Sequence, residues 1–352
     1  MKVYENPLYL EDVNYVASLN LPWEKLNNKS IMISGATGLI GSMLVDVIMR
    51  KNNEGLNCTV YALGRSEERM QKRFTYCFGN PLFNFIEHDV NKKLLFDEGQ
   101  TINFILHLAS NTHPMQYSTD PIGTITTNII GVRNLLDFAV EHNATRFLFA
   151  SSNEVYGENR GDVEFFDEKY CGYIDCNTMR AGYPESKRCG EALCQAYRVQ
   201  RGLDIVIPRL TRSYGPTLLK SGTKALSQFL HKAISGEDIV LKSMGTQYYS
   251  YLHVTDSVSG LFTILLKGKN GEAYNIADTI SDIMLKDLAQ IIANYSGKKV
   301  VFELPNDIES AGYSKATKAR LDSSKLNKLG WTAKYDIKAG IEQTLDVLKE
   351  SL

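Results

Sequence analysis

The chain has no apolar run long enough to span a bilayer, and its first residues, Met1-Lys2-Val3-Tyr4-Glu5-Asn6-Pro7, lack the apolar core of a signal peptide. These absences set the expectation of a soluble, cytoplasmic protein with no membrane partner. Net charge is also missing: 39 basic residues against 40 acidic ones leave −1, which argues against a nucleic-acid groove or an anionic surface as the main partner. Of the six cysteines (Cys58, Cys77, Cys171, Cys176, Cys189 and Cys194), none forms a Cys-x-x-Cys pair with matching histidines. Reduced structural thiols are therefore expected, rather than disulfides or a metal site. No repeat or low-complexity linker interrupts the 352 residues, a length that can bury a large core in one elaborated domain or two.

What is present is organised around residues 31–49. Ile31-Met32-Ile33-Ser34 is a short apolar run suited to a buried parallel strand, and Ser42 to Met49 carry apolar residues at helical spacing. Between them, Gly35-Ala36-Thr37-Gly38-Leu39-Ile40-Gly41 forms a strand-to-helix turn. A helix start offers unpaired N–H groups and partial positive charge, and glycines let the backbone approach a phosphate closely. Gly35, Thr37, Gly38, Leu39, Ile40 and Gly41 are therefore candidates to hold a pyrophosphate. The spacing Gly-x-x-Gly-x-x-Gly is displaced from the commoner Gly-x-Gly-x-x-Gly fingerprint, and a tight turn in another α/β protein is the competing reading.

The second strand is expected over 58–63. Where it ends, a dinucleotide fold reads the adenosine ribose, and an acid there would accept from a free 2′-OH. This chain has Gly64-Arg65-Ser66 instead. Arg65, with Ser66, could clamp a 2′-phosphate or stack on adenine, so the expectation is NAD or NADP, leaning to NADP. Further strands are expected over 83–90 and 102–109. Asp89, beside Val90, is placed to meet the adenine amino group, and His107, inside an apolar run, reads as a core histidine. A helix through 128–142 and a strand over 146–150 complete the alternation of a Rossmann-type doubly wound parallel sheet, an α/β fold. Residues 1–29 read as an N-terminal helical arm and 30–207 as the dinucleotide-binding domain. Residues 208–352 read as a mainly substrate-binding, smaller α/β domain, with the chain crossing between the two.

Residues able to do chemistry cluster after the fifth strand. Ser151-Ser152-Asn153-Glu154 places hydroxyls and a carboxylate at a strand end, where the crevice of such a fold lies. Tyr183-Pro184-Glu185-Ser186-Lys187 opens a helix whose Ala192, Leu193, Ala196 and Tyr197 are expected to be buried. Tyrosine and lysine four apart share a helical face. A cation ~5 Å away at an effective dielectric of ~20 would favour the phenolate by roughly 3 kcal/mol, or about two pKa units, bringing it into range of a general base.

Taken together, Gly35-x-x-Gly38-x-x-Gly41, Asp89-Val90, His107-Leu108-Ala109, Ser151-Ser152 and Tyr183-x-x-x-Lys187 resemble the extended short-chain dehydrogenase/reductase family of NAD-dependent nucleotide-sugar epimerases, dehydratases and decarboxylases. The resemblance covers residues 30 to 335. It implies that Tyr183 removes a sugar hydroxyl proton while hydride passes to the nicotinamide, that Lys187 holds the ribose, and that Ser152 bonds the reacting oxygen. It places Leu108, Ala109, Ser110 and Asn128 along the cofactor. Thr112, His113, Asn153, Arg180, Arg212 and Tyr249 fall on a nucleoside-diphosphate sugar, and helices 124–142 and 186–200 on a homodimer contact.

The segments His107-Leu108-Ala109-Ser110, Pro114-x-x-Tyr117 and Arg180-Ala181-x-Tyr183-x-Glu185-x-Lys187-Arg188 are most similar to UDP-glucuronate decarboxylases. Glu154 matches a glutamate of those enzymes and of 4,6-dehydratases. Two positions depart from the family: Tyr249 stands where an arginine is usual, and Arg212 where an asparagine is. A decarboxylase or dehydratase is the leading expectation. A 4-epimerase or an NADPH-dependent 4-keto-sugar reductase is the alternative, and a non-catalytic dinucleotide-binding module, which would be expected to lose Tyr183 or Lys187, is the remote one. Lys315 to Arg320 form a basic stretch that either flanks the nucleotide or is a solvated loop, and Asp322-Ser323-Ser324-Lys325 reads as a capped short helix.

Overall fold

The computed structural model describes residues 1–97, 100–112, 114–218, 222, 224–303 and 317–351. His113, Lys315 and Ala316 lie outside the described residues. The strands are β1 Ser30–Ser34, β2 Thr59–Gly64, β3 Phe83–Glu87, β4 Phe104–His107, β5 Arg146–Phe149, β6 Ser151–Ser152, β7 Ile205–Leu210, β8 Arg212–Tyr214, β9 Ile239–Leu241, β10 Tyr248–His253, β11 Glu272–Ile276, β12 Asp282–Met284, β13 Val300–Phe302 and β14 Lys318–Ala319. The helices used below are α1 Pro7–Ser18, α2 Leu39–Asn53, α3 Glu67–Arg73, α4 Pro114–Thr119, α5 Pro121–Thr126, α6 Val132–Glu141, α7 Gly182–Arg201, α8 Ala225–Ile234, α9 Val254–Lys267 and α10 Leu285–Ser296.

Among the described residues one sheet runs in the order β11-β7-β5-β4-β1-β2-β3, with β6 also pairing β7, and every pairing in it is parallel. Strand order reverses between β1 and β4, and ligands of open α/β sheets bind at such a point, at the carboxyl ends of the strands. The central strands are buried on both faces: Ile31, Met32 and Ile33 of β1 have no exposed surface, as their unbroken apolar run requires. A smaller sheet, β12-β10-β14 with β8 on β10, and the pair β13-β9 lie beyond it. Residues 272–276 return to the first sheet as its edge strand β11. No helix of the described residues is long and apolar enough to cross a membrane.

Helix α2 is buried on all sides, with nine consecutive buried residues from Gly41 to Met49. The sheet covers one face, and α1 and α9 cover the rest. This assigns the N-terminal arm a role that the sequence left open: α1 is a lid on α2. Asn6 caps α1, accepting from the N–H of Leu8 and Tyr9, with Pro7 at the first helical position. The carboxylate of Asp46 on α2 then receives Tyr9, Tyr76 and Arg73, tying α1, α2 and the end of α3 at one buried anion. The arm also reaches the chain's last segment, where buried Asp12 accepts from Lys334, Tyr335 and Gln343 at 2.7, 2.7 and 2.6 Å.

Two expectations change. On α7, Ala192 and Ala196 are exposed, while Leu193 and Tyr197 are only partly covered; the helix buries its Tyr183, Ser186, Lys187, Gly190 and Cys194 stripe instead. The Arg320 end of the basic stretch is structural, since its guanidinium bridges Asp282 at 2.7 Å and Glu164 at 2.8 Å. The short helix Ser324–Asn327 has Ser323 at its cap position with no side-chain cap bond, and the Asp322 carboxylate just before it accepts from Ser324 N–H at 2.8 Å.

Removing one partner of a buried ion pair strands the other in low dielectric. Asp46→Ala is therefore expected to lower unfolding free energy by about 3 kcal/mol, read as a reduced urea midpoint with an unchanged slope.

Candidate active site

The cradle forms because β1 must turn into α2 within a few residues. Gly35 sits at φ +73°, and a Cβ there would lie 2.9 Å from Ala109 N; one at Gly41 would lie 2.3 Å from Gly35 O. Only glycine fits where three backbone segments meet so closely. Gly38 caps α2 without any side chain doing so, which leaves the helix start, with Thr37, Leu39 and Ile40, as a backbone anion site. The Ser34 hydroxyl accepts from Leu108 N–H and Ala109 N–H, both at 3.2 Å, and bonds His107 Nδ1 at 2.7 Å. His107 is thus a core histidine, and burial pulls its pKa from the usual 6.5 down to about 3.

Around this cradle the remaining candidates fall in order. Arg65 is exposed at the end of β2, and Ser66 spends its hydroxyl capping α3. Asp89 accepts from Asn91 N–H at 3.0 Å, and buried Val90 packs where a Cβ on Gly131 would collide with it. Ser110 donates to Asn128 at 2.8 Å, Asn128 donates to Ser186 at 3.0 Å, and Ser186 donates to the Tyr183 carbonyl at 2.8 Å. Asn128 lies in a π-helical turn, Thr127–Gly131, between α5 and α6, a device that re-aims helix side chains at functional sites. This relay joins the cradle loop to α7.

Helix α7 brings Tyr183 and Lys187 to the same place, at 6 % and 3 % exposure. The phenol is not made acidic by its neighbours, contrary to the expectation from spacing. Burial pushes it up to about 12, against the hydroxyls of Ser152 and Ser110, which favour the phenolate. Lys187 donates to the Ala150 carbonyl at 2.8 Å, its nitrogen 6.0 Å from the Tyr183 ring centre, and burial pulls it down to about 7. Desolvation is the largest influence on each group because both are inside.

Beside Tyr183 stands a column of side chains. Tyr117 of α4 stacks on Tyr183 with ring centres 4.9 Å apart, and the Arg180 guanidinium lies 4.8 Å from the Tyr117 ring. Arg180 donates to Glu154 Oε2 at 2.7 Å, while its Nε and Nη1 are buried with no partner among the described residues. Across from these, Arg212 covers the Tyr249 ring at 3.5 Å and has a buried, unpartnered Nη1. The charges of Glu154, Arg180 and Arg212 all bear on the Tyr117 and Tyr249 phenols, so these side chains share one chamber. Asn153 is buried and Thr112 half-buried near the strand ends that open onto it. Sequence reasoning missed Tyr117 as a site residue; the signal was its place in the Pro114-x-x-Tyr117 segment. Among the described residues no group of three His, Cys, Asp or Glu side chains could hold a metal ion.

A doubly wound sheet with a glycine cradle at its switch point and a serine, tyrosine and lysine at the adjoining strand end defines a dinucleotide-dependent enzyme of the short-chain dehydrogenase/reductase kind. Residues 31–277 match the NAD dependent epimerase/dehydratase family, and the chain belongs to it. It is 32% identical over 320 residues to UDP-glucuronic acid decarboxylase 3 of Arabidopsis thaliana, covering 89% of this chain and 87% of that one. It is 29% identical to UDP-glucuronic acid decarboxylase 1 of Xenopus tropicalis, covering 93% and 73%. Among solved structures it superposes on dTDP-glucose 4,6-dehydratase of Streptomyces venezuelae with NAD bound (TM-score 0.78, 22% identity, 91% and 97% covered). UDP-glucuronic acid 4-epimerase of Bacillus cereus superposes likewise (TM-score 0.76, 21% identity, 91% and 99% covered). The cofactor of the family is NAD, and the uncapped, glycine-cleared start of α2 fits its pyrophosphate.

Because the unfolded histidine takes up a proton near pH 6.5 and buried His107 does not until about 3, stability falls as pH drops through this window. Between pH 7 and 5 this one group is expected to remove about 2 kcal/mol. Urea unfolding at both pH values should show that loss shrinking in His107→Asn.

Proposed function

We propose that the protein binds a nucleoside-diphosphate sugar acid, oxidises its C4 transiently and releases the C6 carboxylate as carbon dioxide. UDP-glucuronic acid, named in its relatives, is the leading substrate. The observation that carries this reading is the chamber beside Tyr183: Glu154 is held by Arg180, and two guanidiniums keep three buried N–H-bearing nitrogens without partners. Unpaired buried donors of this kind call for an anionic acceptor, and a carboxylate on C5 of the sugar would supply one.

Bound NAD supplies the acceptor and later the donor of one hydride at C4. Tyr183 would take the O4 proton once the positive charge of oxidised NAD, beside that of Lys187, favours its phenolate, and Ser152 would hold that oxygen. The 4-ketone makes the C5 carboxylate a β-keto acid, whose carbon–carbon bond electrons pass into an enolate as carbon dioxide leaves. Arg180 and Arg212 would orient the carboxylate, and Glu154 would return the proton to C5. The same glutamate would serve C5 deprotonation in a dehydratase, which makes loss of water the second outcome to look for. We also read the exposed apolar faces of α5 and α7, with Ile122, Ile125, Ala192, Ala196 and Val199, as a homodimer contact. The six unpaired cysteines support a reducing, cytoplasmic setting.

A panel of UDP-, dTDP-, CDP- and GDP-sugars, with products weighed, decides the reaction. Loss of carbon dioxide from UDP-glucuronic acid is expected; loss of water, an unchanged mass or a gain of two hydrogens would replace the reading with dehydration, epimerisation or reduction. Glu154→Gln should lower turnover about a hundredfold or more with NAD affinity preserved. Arg65→Ala should weaken NADP binding and spare NAD if that guanidinium reads a 2′-phosphate, and equal effects on both would make it an adenine-stacking group.

A further inference from the structure

Helix α7 carries a third ionisable residue on the face of Tyr183 and Lys187. Glu191 follows Lys187 by four residues, as Lys187 follows Tyr183, so all three share one stripe. Glu191 is 14 % exposed and forms a bidentate pair with Arg209, itself 13 % exposed, at 2.9 and 2.7 Å. The Ser151 hydroxyl donates to the same carboxylate at 2.6 Å. Ser151 and Arg209 are register partners on β6 and β7, so Glu191 pins α7 to the two strands beside which the reaction chamber opens. Arg209 is fixed in turn by the Tyr156 hydroxyl at 3.0 Å and the Glu168 carbonyl at 2.8 Å.

A buried ion pair contributes little net stability compared with a well-packed apolar pair, and nothing in the reaction scheme uses this one. Its neighbour accounts for it. Lys187 is almost wholly buried and donates to one backbone carbonyl. The charged and titratable groups that face it are Glu191 and Cys194 on its own helix, His107 on β4 and the Tyr183 phenol; Arg209 on β7 stands beyond Glu191. Burial keeps Cys194 a thiol, since its pKa is raised well above the ordinary value, and keeps His107 neutral. Glu191 is then the carboxylate that opposes the desolvation of the ammonium.

We propose that Glu191 is a positioning residue for the reaction: clamped by Arg209 and Ser151 one helical turn beyond Lys187, its carboxylate opposes neutralisation of the buried Lys187 ammonium beside Tyr183. The inference rests on the role given to Lys187 above. Arg209 tempers the effect by neutralising part of the carboxylate, so the two members of the ion pair act on Lys187 in opposite directions.

Opposite signs make the test sharp. With lysine labelled by carbon-13 at Cε, and the Lys187 signal assigned by Lys187→Met, the titration midpoint is read by NMR in the full chain without nucleotide sugar. Glu191→Gln should lower the midpoint by about one to three pH units, Arg209→Gln should raise it, and Glu191→Asp should restore most of what Gln removes. A purely structural role would move both members of the pair the same way or not at all, and either result, in variants that melt like the parent, overturns the proposal. If an ion-pair variant does not fold, Ser151→Ala carries the test: it strips a donor from the carboxylate and should shift Lys187 upward, and a downward or absent shift overturns the proposal. Because no substrate enters this measurement, its failure is separate from a failure of the product assay.

Discussion

Three backbone segments converge where β1 ends, and no side chain fits between them. Gly35 lies against Ala109, and Gly41 lies against the Gly35 carbonyl, so helix α2, the central strand and the loop after β4 hold a fixed mutual distance. The Ser34 hydroxyl closes the same junction by accepting the N–H groups of Leu108 and Ala109. From that loop the Ser110–Asn128–Ser186 relay runs to α7, so the placement of Tyr183 and Lys187 descends from the glycine junction through four hydrogen-bonded steps.

Buried charge is the second theme, and the chain manages it in two ways. Where an ion pair is saturated, as at Asp46 with Arg73 and two tyrosines or at Glu191 with Arg209 and Ser151, it fastens elements together. Where donors are left over, as on Arg180 and Arg212 beside Tyr183, the surplus supports the reading of that chamber as the place where a ligand binds. Full satisfaction is the rule for buried polar groups, which is why the leftover nitrogens are informative.

The features legible in the sequence were those encoded within a few residues. The glycine turn, the parallel strands on either side of it and the Tyr183–Lys187 spacing depend on local pattern, and each stands where that pattern put it. The column of Tyr183, Tyr117, Arg180 and Glu154 was not legible as a unit, because its members come from α4, α7 and two separate turns, and only the folded sheet edge brings them together. The phenol's acidity was misjudged for a related reason. Spacing gives the distance to the ammonium but says nothing of how much water both groups lose. The outer face of α7 misled in the opposite sense, since Ala192 and Ala196 carry helical apolar spacing yet lie exposed, away from the buried Tyr183, Lys187 and Cys194 stripe.

Helix α2 lacks a water-facing side because α1 and α9 close over it. Its amides meet solvent only when whole layers separate, which places it among the slowest segments to exchange hydrogen for deuterium. The glycine turn at its start is therefore seated on a deeply buried layer of the molecule, and local breathing of the loops around it leaves that seat intact.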